Sequence, residues 1–581
     1  MTREERTGLM NTALGRSPAD VVLRGGHLVN VYSGEVLAHM WVATKGERIA
    51  YVGPAKDSLI GQKTEVRHVD GRFILPGFID AHTHLDSIFQ VGAYAQYAMA
   101  FGNTTAVSEV AMTANAMGVK GVEYFLEETR SLPFRVFFLA PPGVPPFPEV
   151  ETTRPFTESF FQKLLGTRNC LGIGESYWPR VTDFEQRAMT QYEASEKAGK
   201  TREGHAAGAR GSRLVAYAAA GTTSCHESVS TEEAVEKLRL GMAVMIREGY
   251  VRRELEAVSG IAGKGLDLRS VMMVTDMADP EELVKEGGMN LLLRKAVALG
   301  FGPVNAVQMV TVNAARYFGL NDLGGVAPGK LADMVIVSDL KDFNCEQVWL
   351  GGRLAAEQGR LLTPWVPYAY PEESRKSVTL DRIHPDIFSI PFSGDKAKVR
   401  VEELVNDTIS REIFVEMKAE RGKLTADTAR DILKAAVFNK TRPHAPPGLG
   451  FTKNAGLRTG AIATSLVWDT NNILTVGVTD SEMASAVNAL IELKGGFVVV
   501  QGGKVMAQLP LPICGIISAK PLPEIVKGIK EVQEACHQLG SRLPRPFLTF
   551  QTFPFTGLPF LRLTDQGLVD VRKMTKVPLL A

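Results

Sequence analysis

The chain has 581 residues, enough for more than one domain. A formal net charge of +1, with 45% hydrophobic and 22% charged residues, is that of an ordinary folded protein and argues against nucleic-acid or membrane-surface partners. No apolar run reaches about 18 residues. The polar N-terminus lacks a signal-peptide core, and five scattered cysteines show no CxxC spacing, so a cytoplasmic protein without a disulfide framework is expected.

In chain order, "DVVLRGGHLVNVYSGEVLAHMWVATKGERIAYVG" reads as short strands broken by glycine turns. From about Pro76 to Gly319, short apolar strands alternate with helical stretches. The strands are read in "TTAVSEV", "RVFFLAPP", "CLGIGES", "TREGHAAG", "GTTSCHES" and "SVMMVTD", and the alternation predicts a (β/α)8 barrel. "LGGVAPGKLADMVIVSDL" and "VWLGGRLAAEQGRLL" return to strands and turns. With the opening segment they are expected to complete a small flanking β-sandwich, residues 1–75 plus 320–394 around a barrel of residues 76–319. "TPWVPYAYPEESRK" reads as a linker. Beyond it, "EIFVEMKAER" and "GFVVVQGGKVMAQLPLP" read as strands, and "DSEMASAVNALIELKG" and "EIVKGIKEVQEACHQLG" as amphipathic helices. A third, α/β domain over residues 395–581 is therefore expected.

Chemistry concentrates in the barrel segment. "ILPGFIDAHTHLDS" carries Asp80, His82 and His84 at alternate positions, which a regular strand places on one face. Two imidazoles at the C-terminal end of a barrel strand fit a divalent metal, although an HxH pair alone fits a packing pair equally well. Glu175, His205, His226 and Asp276 each close or closely follow an apolar strand-like run. Any one of them could be a capping or loop group. The recurrence at strand ends is what favours a shared site, because a lone buried carboxylate is costly. Glu203 and Glu227 flank the histidines and read as supporting partners or as solvated loop acids. Trp178 and Arg180 in "ESYWPR" are read as pocket-lining. Gly329-Lys330 lacks Walker A spacing, and "QGGKV" is a hairpin turn.

The order HxH, acid, His, His, Asp resembles the metal-dependent amidohydrolase superfamily and, more narrowly, the adenine deaminases. The resemblance runs through "PGFIDAHTH", "GIGES", "EGHAAG", "KLRLGMAVMIREG" (similar to a helix–loop of that family) and "PVNAVQMVTVNAARYFGLNDLGGVAPGKLADMVIV". It continues in "GLRTGAIATS", "MASAVNALIELKGGFVVV" and "LPLPICGIIS", covering about residues 20 to 581. It implies His82, His84 and Asp276 on one metal, His205 and His226 on a second, and Glu175 bridging them, with Asp276 and Glu175 catalytic. It implies two divalent ions, Mn2+ or Fe2+ with Zn2+ as a further option. It also implies a purine-like substrate, a homodimer, and hydrolysis of adenine to hypoxanthine and ammonia.

Four runs depart from the family pattern. "EVAMTAN" stands where a "DPHEIAN"-like run is usual, putting Glu109, Ala111 and Met112 in place of Asp, His and Glu. Asp276–Asp279 reads "DMAD" rather than "DDRH", Trp468–Asn472 reads "WDTNN" rather than "HDSHN", and Asp86-Ser87-Ile88 replaces Glu-Ser-Ser. Asp86 and Glu109 are thereby expected to face substrate. A substituted purine or another cyclic amidine or amide is the alternative substrate, and a non-catalytic metal-binding scaffold a third reading.

Overall fold

The computed structural model describes residues 1–154 and 156–581. Its centre is eight parallel strands, each followed by a helix or helical turn. They are β1 (Phe78–His84), β2 (Asn103–Glu109), β3 (Arg135–Ala140), β4 (Cys170–Tyr177), β5 (Thr201–His205), β6 (Ser224–Cys225), β7 (Ala243–Arg247) and β8 (Val271–Val274). Two backbone hydrogen bonds close the ring. Thr223 N–H donates to Arg202 O (2.9 Å) between β5 and β6, and Asp276 N–H donates to His82 O (3.1 Å) between β8 and β1. This is the TIM-like barrel expected from the strand–helix alternation. The intervening helices carry ordinary end signals. Thr231–Arg239 begins at Ser230, whose side chain accepts from the Glu233 N–H, with acids in its first turn and bases in its last.

The barrel interior grades from apolar to polar along each strand. Ile79, Ala81, Val107, Leu139, Met245, Met272 and Val274 share one buried cluster. Two residues further along their strands come Glu109, Arg247 and Asp276, on the same side by the two-residue period. β1 breaks that period. Its pairing with β2 is irregular between Asp80 and Thr83, a bulge that re-aims the side chains beyond it. Ile79 and Ala81 therefore lie in the inner core, while Asp80 accepts hydrogen bonds from the Thr275 N–H and hydroxyl. Asp80 thus staples β1 to the segment after β8. It does not share the histidine face that strict alternation predicts.

"KLRLGMAVMIREG" also differs from its expected helix–loop. A helix ends at Arg239, and Ala243–Arg247 is β7, fully buried. The flanking β unit is one hydrogen-bonded sheet of nine strands, built from Val21–Pro76 and Met334–Leu361. Its two arms share a core in which Val42 and Ile49 meet Ile336 and Trp349. The C-terminal part has a second nine-stranded sheet between Lys396 and Pro510, covered by helices Asp480–Glu492 and Leu522–Gln538. Gly502 and Gly503, both at positive φ, form the hairpin turn expected of "QGGKV". A short parallel pairing of Ile88–Phe89 with Ile517–Ser518 ties the loop after β1 to this part. Among the described residues no helix is long and apolar enough to cross a membrane, and all five cysteines are free and buried.

Candidate active site

The C-terminal ends of β1, β4, β5, β6 and β8 bring His82, His84, Glu175, His205, His226 and Asp276 to one rim. Glu175 Oε1 lies 3.2 Å from His226 Nε2, 3.3 Å from His82 Nε2 and 3.6 Å from His84 Nε2. Asp276 Oδ1 lies 3.3 Å from His84 Nε2 and 3.5 Å from His82 Nε2. The His82 and His226 rings stack at 4.2 Å. Both ring nitrogens of His82 are buried without a hydrogen-bond partner. Atoms bound to one ion at roughly 2.0–2.2 Å lie about 3–3.5 Å apart, so these spacings fit a shared cation. The donor set of imidazoles and carboxylates suits Zn, Fe and Mn. By this geometry the residues fit a divalent metal centre.

The electrostatics agree. Burial opposes ionisation of Glu175 and Asp276, yet the surrounding imidazoles hold both carboxyls well below the usual range. Burial likewise opposes charge on His82, but Asp276 and Glu175 hold its imidazole up at about 10. Burial and the neighbouring His82 push His226 down to about 4. The cluster attracts positive charge but will not accept a proton on every ring.

Two candidate groups of ligand atoms share His226. His226 groups with His82, Glu175 and Asp276, and also with His205 and Glu227. His205 Nδ1 sits 2.9 Å from Glu227 Oε2. Glu203 accepts from Ser224 and Tyr317 hydroxyls below the site.

Arg247 was not singled out in the sequence. From the end of β7 its buried guanidinium forks onto Glu254 (both bonds 2.9 Å) and reaches Glu227 Oε1 and Asp276 Oδ2, each at 3.3 Å. It fixes the outward oxygen of Asp276 while Oδ1 faces the histidines. Asp276 and Met277 both take positive φ, 47° and 86°, an uncommon state for such residues at the point where β8 leaves the barrel.

The four expected substrate contacts scatter. Asp86 is fully buried and accepts from the Thr113 N–H and hydroxyl, holding the helix after β2 and standing off the cavity. Glu109 lies beneath Glu175, whose N–H donates to its Oε1 (3.1 Å). A Cβ at Gly174 would strike that carboxyl. Burial and the charge of Glu175 raise Glu109 to about 8. Trp178 donates its indole N–H to Ala207 O and borders an outer groove. Arg180 is bound to Glu149 and Pro146 O beside a smaller cavity that also touches Glu175.

In front of the histidine–carboxylate cluster lies a cavity of about 270 Å3, close to the lower end of small-molecule sites at roughly 300–1,000 Å3. Ala111, Met112, Met277 and Trp468, all in the departing runs, line it. The C-terminal part supplies one wall through Thr408, Trp468, Asp469, Phe555 and Leu558. The 468–472 loop is fastened to the barrel. Asn471 Nδ2 donates to Met112 O (2.8 Å), Asn472 Nδ2 to Thr152 O (2.9 Å), and Tyr177 OH to Asp469 Oδ2 (2.8 Å).

Residues 73–355 match the amidohydrolase family profile, and residues 407–575 match the adenine deaminase C-terminal domain. The adenine deaminase of Clostridium botulinum (strain Loch Maree / Type A3) is 36% identical, over 98% of this chain and 97% of that protein. The chain belongs to the adenine deaminase family. Within that family, the adenine deaminase of Moorella thermoacetica is 36% identical over 100% of this chain and 98% of its own. The adenine deaminase of Cenarchaeum symbiosum is 33% identical over 99% and 95%. The two profile matches fall on the two sides of the cavity: the histidine–carboxylate rim lies in one and the closing wall in the other.

Proposed function

We propose that this chain is a metal-dependent hydrolase that converts adenine and water to hypoxanthine and ammonia. The observation that carries the reading is the His82–Glu175–His226–Asp276 cluster opening onto a small cavity walled by the family's C-terminal domain. In this reading His82, His84, Glu175, His226 and Asp276 hold the first ion, and His205 with His226 or Glu227 holds a second. Bound there, a dication lowers the pKa of a neighbouring water towards neutrality. Asp276 takes a proton from the attacking water through Oδ1 and passes it to the departing ammonia, while Arg247 keeps the carboxylate oriented. Glu175 holds the imidazoles in place, and the C-terminal wall limits water in the cavity. Manganese or iron in two sites, with zinc as the third option, and a cytoplasmic homodimer complete the proposal.

The test is ammonia and hypoxanthine formation from adenine by protein loaded with manganese, iron or zinc, with metal content measured in parallel. Metal-loaded protein that releases no ammonia from adenine would overturn the reading. A second reading, a substituted purine or another cyclic amidine or amide, is favoured by Ala111, Met112, Met277 and Trp468 at the cavity wall. These residues leave fewer polar groups to pair with an unsubstituted purine edge. Turnover of N6-substituted adenines above adenine in the same assay supports it; preference for adenine removes it.

A further inference from the structure

Five carboxylates line the cavity: Glu175, Glu227, Glu233, Asp276 and Asp469. Four are committed to protein partners. Glu175 and Asp276 face the histidine rings. Glu227 is held by His205 and Arg247, and Glu233 by Arg210 and the Val229 N–H. Asp469 is the one that comes from the C-terminal wall. Its Oδ2 accepts from Tyr177 OH, and its Oδ1 has no hydrogen-bond partner among the described residues.

The loop that carries it is held in place. Asp469 has φ of 62° and Asn471 φ of 51°, left-handed conformations that Asp and Asn tolerate better than most residues. Asn471, Asn472 and Tyr177 pin the loop at three points to the barrel. Tyr177 follows Glu175 by two residues on β4, so one strand holds both a metal-cluster carboxylate and the phenol that orients Asp469. The surrounding wall, Trp468, Phe555, Leu558 and Met112, is mostly apolar. A fixed carboxyl in a largely apolar wall is a usual means of orienting a small ring.

Resting on the adenine deaminase reading, we propose that Asp469 is the substrate-orienting carboxyl, with Oδ1 accepting a hydrogen bond from a purine N–H while Tyr177 fixes Oδ2. The C-terminal domain then selects how the ring lies against the metal cluster as well as closing the cavity.

The test compares wild type, Asp469→Asn, Asp469→Ala and Tyr177→Phe, all metal-loaded. It measures metal content, melting temperature, kcat and KM for adenine, and hypoxanthine affinity by calorimetry. A hydrogen bond to a charged group corresponds to about 10–100-fold in affinity. Asp469→Ala is expected to raise KM and weaken hypoxanthine binding by that factor, with metal content and melting temperature retained and kcat changed only a few-fold. Asp469→Asn keeps an acceptor oxygen and is expected to fall between Ala and wild type. Tyr177→Phe is expected to raise KM less than Asp469→Ala. Wild-type KM and hypoxanthine affinity in both Asp469 variants would overturn the proposal, as would a loss confined to kcat or to metal content. If wild type binds purines but releases no ammonia, the deaminase reading falls while the binding comparison still decides Asp469. If wild type binds no purine, both fall.

Discussion

The two sides of the cavity are built by different means. The barrel side is a dense ionic network on strand ends, where nearly every polar atom has a charged neighbour. The C-terminal side is largely apolar, with one free carboxylate oxygen and a loop held by a few hydrogen bonds. The barrel side has the groups to hold a cation and move a proton. The opposite side has the shape to choose what lies in front of them. Damage to the first should therefore abolish chemistry, and damage to the second should change which molecule reacts and how tightly.

The largest break is His82→Ala. Even partners outside a ligand shell change metal affinity or activity by 10–100-fold, so losing His82 should reduce ammonia release by at least about 100-fold. Elemental analysis should show bound metal falling with it; full activity with full metal content would refute the barrel-side assignment. Chelation of the wild type should have the same effect and be reversed by added Mn2+.

Next is Arg247→Met. It leaves Glu227, Glu254 and Asp276 buried without their shared cation, and breaking such a pair is expected to destabilise the fold by about 3–5 kcal/mol. Urea denaturation measures this; an unchanged midpoint would show the acids finding other partners.

On the opposite side, Asn471→Ala removes the bond to Met112 O. It should destabilise by about 1–2 kcal/mol and raise the adenine KM several-fold at constant metal content. A fall in metal content instead would mean the two sides are not separable.

A pH-dependent test concerns Glu151, which joins the two sides by accepting from the Phe147 N–H and the Thr556 hydroxyl. Burial, and then the charge of Asp469, raise its pKa to about 8, against about 4.5 for an ordinary Glu carboxyl. The folded state therefore holds this proton more tightly than the unfolded chain. The resulting stabilisation is full below about pH 4.5 and is lost as pH rises through 8. Glu151→Gln cannot ionise and should flatten the fall in melting temperature between pH 5 and 9; parallel profiles for the two proteins would reject this role.

Much of the barrel side was legible because a charged group closing an apolar strand has few structural excuses. Glu175, His226 and Asp276 were found that way. Arg247 carries the same signal at the end of "AVMIR", but likeness to a helix–loop masked the strand. Asp80 was misplaced because alternation assumes unbroken pairing, and a bulge depends on the partner strand, here β2. Asp86 and Arg180 were read as substrate contacts by position, and their bonds to Thr113 and Glu149 depend on neighbours that only the fold brings close. The wall itself was hidden by distance. Nothing near Phe555 or Leu558 indicates that they face His84 across a cavity, since that depends on packing residues hundreds of positions apart.

That separation along the chain has a consequence for synthesis. All six histidine and carboxylate side chains of the rim have been synthesised once Asp276 is added, whereas the wall is finished only by Phe555 and Leu558, near the C-terminus. A chain that folded in the order of its synthesis would present an open rim to the cell's metal pool before the last segment covers it. The identity of the captured ion would then reflect availability during translation as much as the preference of the completed protein.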